Sequence, residues 1–351
     1  MSKVSIPVNF CNAGEILAED VHNDWGMVLV ARNTIMNPYI KEKLLQMDIP
    51  NVWVYKAEEQ ESNYKEAKYQ KVKSTYKSTV LTVKKFIDKL SSGEPVEYKT
   101  IKELSRTISD QAIETGHIIR CLTEIKNADE YSYTHCVNVA FYSMLIAKWL
   151  GFSGTGIREV IQAGLLHDIG KVKIPYDILN KNGKLTSDEF EIMKMHSIYG
   201  YNMLKDIPDM DQKIKDAVLM HHERFDGSGY PGMLRGELIS LYARIIAVAD
   251  VFDAMTQNRV YKQKVSPFDS FRMFLTTGIS SYDITVLSAF MKNLSAYYIG
   301  TKVVLNTGAT GEIVYVPPQD IVYPIVNVGS SIIDLSKEKE LKVVNVFVDI
   351  K

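Results

Sequence analysis

Five of the seven histidines in this sequence lie beside carboxylates in the middle of the chain. The candidates for chemistry, in chain order, are His135, His167, Asp168, His196, His221, His222 and Asp250. His167 and Asp168 directly follow the apolar run 163–166, and His221 and His222 are adjacent. Burying so many imidazole nitrogens and carboxylates is costly unless a partner satisfies them. A cation is the simplest such partner, so these residues predict a metal centre.

The mixture of imidazole and carboxylate donors indicates the kind of centre. Closed structural zinc sites favour cysteine, and Cys136 is the one cysteine near these residues. Seven donors exceed what one tetrahedral metal uses, so we expect two divalent metals with open positions for water. Iron or manganese suits histidine with carboxylate. Paired metals are a recurring solution for phosphodiester hydrolysis, because they activate water and bind phosphate oxygens.

Several short motifs occur in a fixed order between Asp129 and Lys262. They are LLHDIGK at 165–171, MH at 195–196, HHERFDGSGYP at 221–231, RI at 244–245, ADVFDAMT at 249–256 and RVYK at 259–262. In this order the stretch resembles the HD-GYP domain, a branch of the HD phosphohydrolase superfamily. The resemblance implies a helical HD-type bundle. It also implies hydrolysis of cyclic di-GMP to linear pGpG and often on to GMP, although some members prefer cyclic GMP-AMP.

The resemblance also implies roles for individual residues. The seven candidates above fall on the family's metal ligands, and Asp168 falls on the aspartate that bridges two metals. Lys171 and Asp253 fall near the catalytic water and the leaving group, so with Asp168 they form the predicted catalytic set. The predicted substrate contacts are Arg259 and Lys262, for phosphate and base, and Gly229, Tyr230 and Pro231 in the loop that names the family.

Physical arguments support these roles. A lysine behind a metal pair adds positive charge where the transition state becomes more negative. Asp253 lies three residues after Asp250, so on a helix both carboxylates lie on one face. The planar guanidinium of Arg259 matches phosphate or the edge of guanine in a way that lysine cannot.

This sequence differs from some family members at a position that affects the number of bound metals. Some family members carry a glutamate one helical turn before the first histidine, where it helps to hold a third metal. Here Tyr131 occupies the position four residues before His135, although Glu130 is its neighbour. The sequence therefore favours two metals, and the third is not supported.

Two alternatives to a cyclic di-GMP phosphodiesterase stay open. The first is a catalytically silent receptor for cyclic dinucleotides. Degenerate members usually lose metal ligands or the Gly-Tyr-Pro loop, and both are complete here, which favours the enzyme. The second is a phosphodiesterase that prefers cyclic GMP-AMP, and the sequence does not decide between these substrates.

The pattern along the chain predicts a mainly α protein in four parts. Residues 1–56 read as a small α+β domain, 57–99 as a connector helix and linker, 100–298 as the helical catalytic domain, and 299–351 as a small β-rich subdomain. In the first part, strands are expected at 16–18 and 27–30, a turn at 23–26, a helix beginning at Asn37-Pro38, and a strand at 52–55. In the last part, strands are expected at 303–305, 313–316, 322–328 and 343–348.

Apolar residues recur at helical spacing in the connector. They are Val72, Tyr76, Val80, Val83, Ile87 and Leu90. Such a narrow stripe indicates a helix that packs on its own chain. A homodimer contact through the 57–91 helix is the second interpretation.

Composition narrows the partners and the compartment. The formal net charge is −1, so no overall basic field would attract a DNA or RNA polymer, and a cyclic dinucleotide needs a local positive cluster. The three cysteines form no disulfide framework, which is typical of a reducing cytoplasm. No apolar run approaches the roughly 18 residues of a membrane span. We therefore expect a cytoplasmic protein.

Overall fold

Helices dominate the computed structural model, which describes residues 3–55, 61–111, 115–124, 131–257 and 265–347. Strands are confined to the two ends of the chain, which confirms the predicted mainly α fold with small β-containing flanks. The helices are α1 (Pro38–Gln46), α2 (Glu61–Ser91), α3 (Tyr98–Ser109), α4 (Thr115–Glu124), α5 (Tyr131–Trp149), α6 (Gly154–Leu166), α7 (Tyr176–Leu179), α8 (Ser187–Lys194), α9 (His196–Leu204), α10 (Gln212–Met220), α11 (Leu241–Thr256), α12 (Pro267–Leu275) and α13 (Ile284–Ala296).

Two small antiparallel pairs of strands and one helix form the N-terminal unit. The strands are β1 (Lys3–Pro7), β2 (Val21–His22), β3 (Val28–Val30) and β4 (Asn51–Tyr55), and β1 pairs with β4 while β2 pairs with β3. Helix α1 begins as predicted, because the Asn37 side chain accepts a hydrogen bond from the Ile40 backbone N–H at 2.8 Å. Pro38 occupies the first helical position.

The predicted strand at 16–18 is wrong. Ile16 and Leu17 make only isolated bridges, and the backbone N–H groups of Leu17 and Ala18 donate to Thr34 and Trp53 respectively. Because these acceptors belong to two different segments, no continuous ladder forms with either one. Leu17 and Ala18 are still buried, which explains why the run resembles a strand in the sequence.

Helices α5, α6, α10 and α11 pack against one another in the middle of the chain. Helix α2 lies along α4 and α5, and it also contacts the 3-10 helix Ile169–Lys173. The centre of its apolar stripe is buried by these neighbours, and Ile87 and Leu90 pack at the edge of the core. This is the arrangement expected for a helix that packs on its own chain. A homodimer contact through other faces of the helix stays a prediction.

The C-terminal strands form one five-stranded antiparallel sheet in the order β8-β7-β6-β5-β9. The strands are β5 (Lys302–Leu305), β6 (Thr310–Tyr315), β7 (Ile325–Val328), β8 (Ser331–Asp334) and β9 (Val343–Phe347). The sequence did not predict β8, which carries only two apolar residues between Ser331 and Asp334. The run predicted from Val322 becomes a strand only at Ile325, since the preceding Pro324 has no N–H to donate to a ladder.

The N-terminal unit packs on the rest of the chain through buried contacts. The backbone N–H of Val28 donates to the Asn293 side chain at 3.2 Å, and the Tyr297 hydroxyl donates to Asp20 at 3.0 Å. Helix α1 also contacts β6, so the two ends of the chain meet. The exact bounds of the four predicted parts stay a prediction.

Cys11, Cys121 and Cys136 are buried and free of disulfides. Across the described ranges, no helix combines the length and the apolar character that crossing a bilayer requires.

Gly170 allows two parts of the candidate site to approach each other. It lies in the 3-10 helix after Asp168, and this helix packs against α9. A Cβ atom added at Gly170 would lie 1.9 Å from the carbonyl oxygen of His196 and 2.4 Å from the backbone nitrogen of Gly200. Both neighbours are backbone atoms, so a side chain here must push the two segments apart.

We predict that Gly170→Ala destabilises the protein by about 3 kcal/mol, the upper end of overpacking costs. Urea unfolding followed by circular dichroism measures the change. Gly156→Ala is the matched control, because its added Cβ would lie 3.4 Å from the nearest atom. The control should change stability by less than about 1 kcal/mol. Equal stability of the two variants would contradict this account of Gly170.

Candidate metal centre

The structure brings the seven predicted ligands together from five helices and their ends. His135 lies on α5, His167 and Asp168 follow α6, His196 opens α9 directly after α8, His221 and His222 follow α10, and Asp250 lies on α11. They form two groups, within each of which the candidate ligand atoms lie within 4.8 Å of one another. The first group is Asp168, His196, His221 and His222, and the second is His135, His167 and Asp250.

Three of the histidine rings are fixed by the same local bond. In each, Nδ1 donates to the backbone carbonyl three residues earlier, in the last turn of a helix. The bonds are His167 to Gly164 at 2.8 Å, His196 to Met193 at 2.7 Å and His221 to Val218 at 2.8 Å. Each carbonyl is among the last four of its helix, where the regular intrahelical hydrogen bonds end. Since a carbonyl can only accept, Nδ1 carries the proton and the lone pair of Nε2 points into the site.

The Nε2 atoms meet in a buried space where they lack ordinary partners. His196 Nε2 and His221 Nε2 lie 3.2 Å apart, and with both Nδ1 atoms protonated two lone pairs face each other. His167 Nε2 and Asp168 Oδ1 are buried without a hydrogen-bond partner. A bound cation would accept these lone pairs, which would remove their repulsion and offset the cost of burying the nitrogen and oxygen atoms. The donor set therefore fits a metal.

Burial keeps several of these rings neutral. It lowers the pKa of His196 and holds the pKa of His221 well below its usual value, where the neighbouring His222 contributes further. Burial also lowers the pKa of His222 to about 3. Neutral imidazole is the form that binds a metal, so these three rings need not lose a proton first near neutral pH.

The two oxygens of Asp168 face different histidines. Oδ1 lies 3.4 Å from His196 Nε2 and 3.9 Å from His221 Nε2. Oδ2 lies 3.3 Å from His167 Nε2 and 3.8 Å from His135 Nε2. One carboxylate therefore stands between the two groups and presents one oxygen to each.

Lys171 forms a close ion pair with this carboxylate. Its ammonium donates to Asp168 Oδ2 at 2.5 Å. Burial would raise the pKa of Asp168, but Lys171 and then His167 outweigh burial and hold that pKa well below its usual value. Burial would lower the pKa of Lys171, but Asp168 outweighs burial and raises it. Asp168 is therefore an anion and Lys171 a cation.

His135 lies between two carboxylates of α11. Its Nε2 is 3.1 Å from Asp250 Oδ1, and its Nδ1 is 2.7 Å from Asp253 Oδ2. Burial would lower the pKa of His135, but the hydrogen bonds with Asp250 and Asp253 outweigh burial and raise it to about 9. A proton thus lies where two candidate metal ligands face each other.

Asp253 lies behind the ring of His135, away from the centre of the site. It is fully buried, and its other oxygen accepts a hydrogen bond from the Asn138 side chain at 2.8 Å. The sequence predicted Asp253 near the catalytic water and the leaving group, and the structure instead places it where it orients a ligand. Sequence reasoning missed Asn138, for which the only signal is its position one helical turn after His135.

The Gly-Tyr-Pro loop is anchored by Glu223, a residue to which the sequence analysis gave no role. Glu223 is buried, and its carboxylate accepts hydrogen bonds from the backbone N–H groups of Gly232 at 2.6 Å and Leu234 at 3.0 Å. Gly229 must be glycine, because an added Cβ would lie 2.3 Å from the backbone nitrogen of Arg224. These contacts hold the loop against the segment that follows the paired histidines.

Tyr230 connects this loop to the metal ligands. Its ring stacks on His222 with centroids 4.7 Å apart and an interplanar angle of 29°. Pro231 follows it through a cis peptide bond. Tyr230 also makes a T-shaped contact with Phe190, with ring centroids 6.4 Å apart, and the ammonium of Lys194 lies 5.8 Å from the Tyr230 ring centroid.

Three of the predicted positions cannot be placed. Arg259, Lys262 and Glu130 lie outside the described residues, and for Tyr131 only the helical backbone is described. The substrate contacts predicted for Arg259 and Lys262 therefore stay predictions.

Comparison with known proteins identifies the region that holds the ligands. Residues 122–286 match the HD domain family. This part of the chain is an HD domain. The predicted resemblance to the HD-GYP branch is confirmed.

The HD domain has curated relatives and a relative of known structure. A cyclic di-GMP phosphodiesterase of Pseudomonas aeruginosa is 36% identical over 236 residues, which cover 67% of this chain and 57% of that protein. A 3'3'-cGAMP-specific phosphodiesterase of Vibrio cholerae is 42% identical over 129 residues, or 36% of this chain and 25% of that protein. The match thus spans little more than half of the first relative and a quarter of the second.

The structural relative supports the fold. The HDG"Y"P protein Bd1817 from Bdellovibrio bacteriovorus aligns with a TM-score of 0.52 and 15% identity, covering 82% of this chain and 98% of that chain. Together, the HD domain and the two clusters of ligands indicate binding of divalent metal.

We predict that loading with Mn²⁺ releases a proton from His135. Its pKa is raised to about 9, so the ring is protonated at pH 7.5, and a cation held by His135 and Asp250 must displace that proton. Affinity at this site should therefore rise about tenfold per pH unit up to about pH 9. Calorimetric titration in buffers of different ionisation enthalpy counts the protons.

Asp253→Asn provides the comparison for this prediction. It removes a charge that raises the proton affinity of His135, so fewer protons should be released at the same pH. A binding enthalpy independent of buffer in the unmodified protein at pH 7.5 would show that the prediction is wrong.

Proposed function

We propose that this HD domain hydrolyses cyclic di-GMP to linear pGpG, and on to GMP, with water activated at a centre of two divalent metals. The observation that carries the proposal is the position of Asp168, whose two oxygens face two separate groups of histidines. A carboxylate in this position can bridge two cations. Such a pair is suited to phosphodiester hydrolysis.

The donors favour two ions of iron or manganese. One ion would be held by Asp168, His196, His221 and His222, and the other by Asp168, His135, His167 and Asp250. No cysteine belongs to either group, and histidine with carboxylate suits these metals. The absence of a glutamate at position 131 keeps the proposal at two ions.

The side chains around the metals have separate roles in the proposal. Bound divalent metals lower the pKa of water and stabilise negative charge on the phosphate oxygens. Lys171 supplies a further positive charge at the bridging carboxylate, where charge increases as the phosphate is attacked. Asp253 holds the His135 ring in orientation and does not touch the substrate, because it is fully buried behind that ring.

The substrate would lie between the metals and the Gly-Tyr-Pro loop. Tyr230 gives this region an aromatic wall that stacks on His222, and the ammonium of Lys194, which also pairs with Glu191 at 2.7 Å, lies beside it. Arg259 and Lys262 are proposed to contact phosphate and base. This local positive cluster would attract a dinucleotide to a chain whose net charge is only −1.

The proposed catalytic unit is residues 100–298, with 57–99 as connector and 1–56 and 299–351 as flanking units. Two relatives with different substrates indicate which substrates to consider for this unit. The Pseudomonas relative acts on cyclic di-GMP and the Vibrio relative on 3'3'-cGAMP. Cyclic GMP-AMP is therefore the second candidate substrate. A silent receptor is less favoured, since every ligand in both metal groups is present.

We predict that purified protein loaded with Mn²⁺ or Fe²⁺ converts cyclic di-GMP to pGpG and GMP, with products separated by chromatography. A chelator should abolish turnover, and restored metal should recover it. Faster turnover of 3'3'-cGAMP would keep the chemistry and change the substrate. Binding of cyclic di-GMP without turnover under either metal would support the receptor and rule out the proposed reaction.

We predict that Asp168→Asn and Lys171→Met separate metal binding from chemistry. Asp168→Asn should lower the metal content from about two ions to below one, because both groups share its carboxylate. Lys171→Met should keep most of the metal and lower kcat about a hundredfold, the scale of losing one electrostatic contact to the transition state. Elemental analysis and steady-state kinetics measure both effects.

Lys173→Met is the matched control for Lys171. It lies in the same 3-10 helix, but its side chain is exposed. It should retain full metal content and kcat. Similar kinetics for the two lysine variants would refute the role given to Lys171.

A further inference from the structure

Four buried side chains form a continuous chain of hydrogen bonds from helix α2 to a metal ligand. The Tyr76 hydroxyl donates to Asn138 Oδ1 at 2.7 Å, and Asn138 Nδ2 donates to Asp253 Oδ1 at 2.8 Å. The second oxygen of Asp253 lies 2.7 Å from His135 Nδ1. The bonds join residues 62 and 115 positions apart in the sequence, so only the fold brings them together.

The direction of each bond in this relay is fixed. A carboxylate accepts, so Asp253 must receive its two hydrogen bonds from the Asn138 amide and the His135 ring. The amide nitrogen of Asn138 is then committed, which leaves its oxygen to accept from the Tyr76 hydroxyl. All four side chains are at most 4% exposed, so water does not compete for any of these bonds.

Tyr76 keeps the amide of Asn138 from turning. Without the hydroxyl, a rotated amide would present its oxygen to the Asp253 carboxylate, which is repulsive, and the unrotated amide would leave its oxygen buried and unsatisfied. Either result loosens the carboxylate that orients the His135 ring. Partners that orient a ligating histidine contribute to metal affinity.

We propose that Tyr76 is a positioning residue for the metal centre, acting through Asn138 and Asp253 on the orientation of His135. The proposal rests on the proposed function in assigning His135 to a metal. It makes helix α2 a structural support of the site, although neither group of candidate ligands includes a described residue of this helix.

Other contacts of α2 support this assignment. The helix also packs against the 3-10 helix Ile169–Lys173, which carries Lys171. Asp88 of α2 accepts a hydrogen bond at 2.8 Å from the hydroxyl of Tyr133, which lies two residues before His135 on α5. Helix α2 therefore contacts both the 3-10 helix that directly follows Asp168 and the helix that holds His135.

The test removes only the hydroxyl, in Tyr76→Phe. Titration of metal-free protein with Mn²⁺, followed by the electron paramagnetic resonance of free Mn²⁺, reports affinity without requiring activity. Because His135 belongs to one ligand group, we expect one of two binding steps to weaken about tenfold while the other is unchanged. In kinetics, kcat should fall by a similar factor and KM should stay the same.

Tyr69→Phe is the matched control. Tyr69 lies on the same helix, is as buried as Tyr76, and its hydroxyl bonds to Glu124 instead of the relay. Normal Mn²⁺ binding and kinetics in Tyr69→Phe beside the one-step loss in Tyr76→Phe would support the proposal. Equal Mn²⁺ affinities in the two variants, or weakening of both steps in Tyr76→Phe, would overturn it.

A second variant tests the proposal if Tyr76→Phe does not fold. If circular dichroism shows that Tyr76→Phe is unfolded, Asn138→Ala is judged by the same one-step criterion, since it breaks the relay at the next residue. Wild-type protein that binds Mn²⁺ but hydrolyses no cyclic dinucleotide would defeat the proposed function alone. The Mn²⁺ titrations of the variants would still decide the role of Tyr76.

Discussion

The bond from a histidine Nδ1 to the carbonyl three residues earlier is the constraint on which the site depends. It occurs at His167, His196 and His221, and each time it satisfies a carbonyl at the end of a helix. The same bond fixes the tautomer and directs Nε2 inward. The local bond that ends each helix thus also directs the lone pair of a histidine Nε2 into the site. Packing of the helices then needs only to bring these helix ends together.

The ends of the helices also contribute an electrostatic term. A helix C-terminus carries partial negative charge, which favours a cation within its last turn. Helices α6 and α10 both end directly at ligands of the site. A cation bound at this site would therefore meet oriented carbonyl dipoles in addition to the charges of Asp168 and Asp250. This helps to explain how so many polar groups are buried at one place in an otherwise apolar core.

The clustering of the seven candidate ligands could be predicted from the sequence because each lies in a short motif that keeps its spacing. The residues that hold the candidate ligands in orientation could not be predicted from the sequence. Asn138 and Tyr76 are ordinary helix residues, and their importance arises only when α2 and α11 both pack on α5. Asp253 was singled out from the sequence, but its contact with His135 Nδ1 was not, because sharing a helix face with Asp250 does not tell which carboxylate contacts which nitrogen of that ring.

The elements of the flanks were predicted less completely for a related reason. The buried run 16–18 and the short strand β8 differ mainly in whether a neighbouring segment continues alongside them. Tertiary packing determines which segment lies alongside, and the hydrophobicity of the sequence does not predict it. The long helices, by contrast, carry a periodic pattern that needs no knowledge of the partner.

Glu223 has a consequence for how this site can diverge. A single buried carboxylate holds the Gly-Tyr-Pro loop through the backbone N–H groups of Gly232 and Leu234. Backbone groups are present whatever side chains the loop carries. Outside Gly229, where an added Cβ would meet the Arg224 backbone, substitutions that face a ligand can therefore accumulate without displacing the main chain. A scaffold of this kind allows specificity to drift among chemically related nucleotides while the metal ligands stay in place.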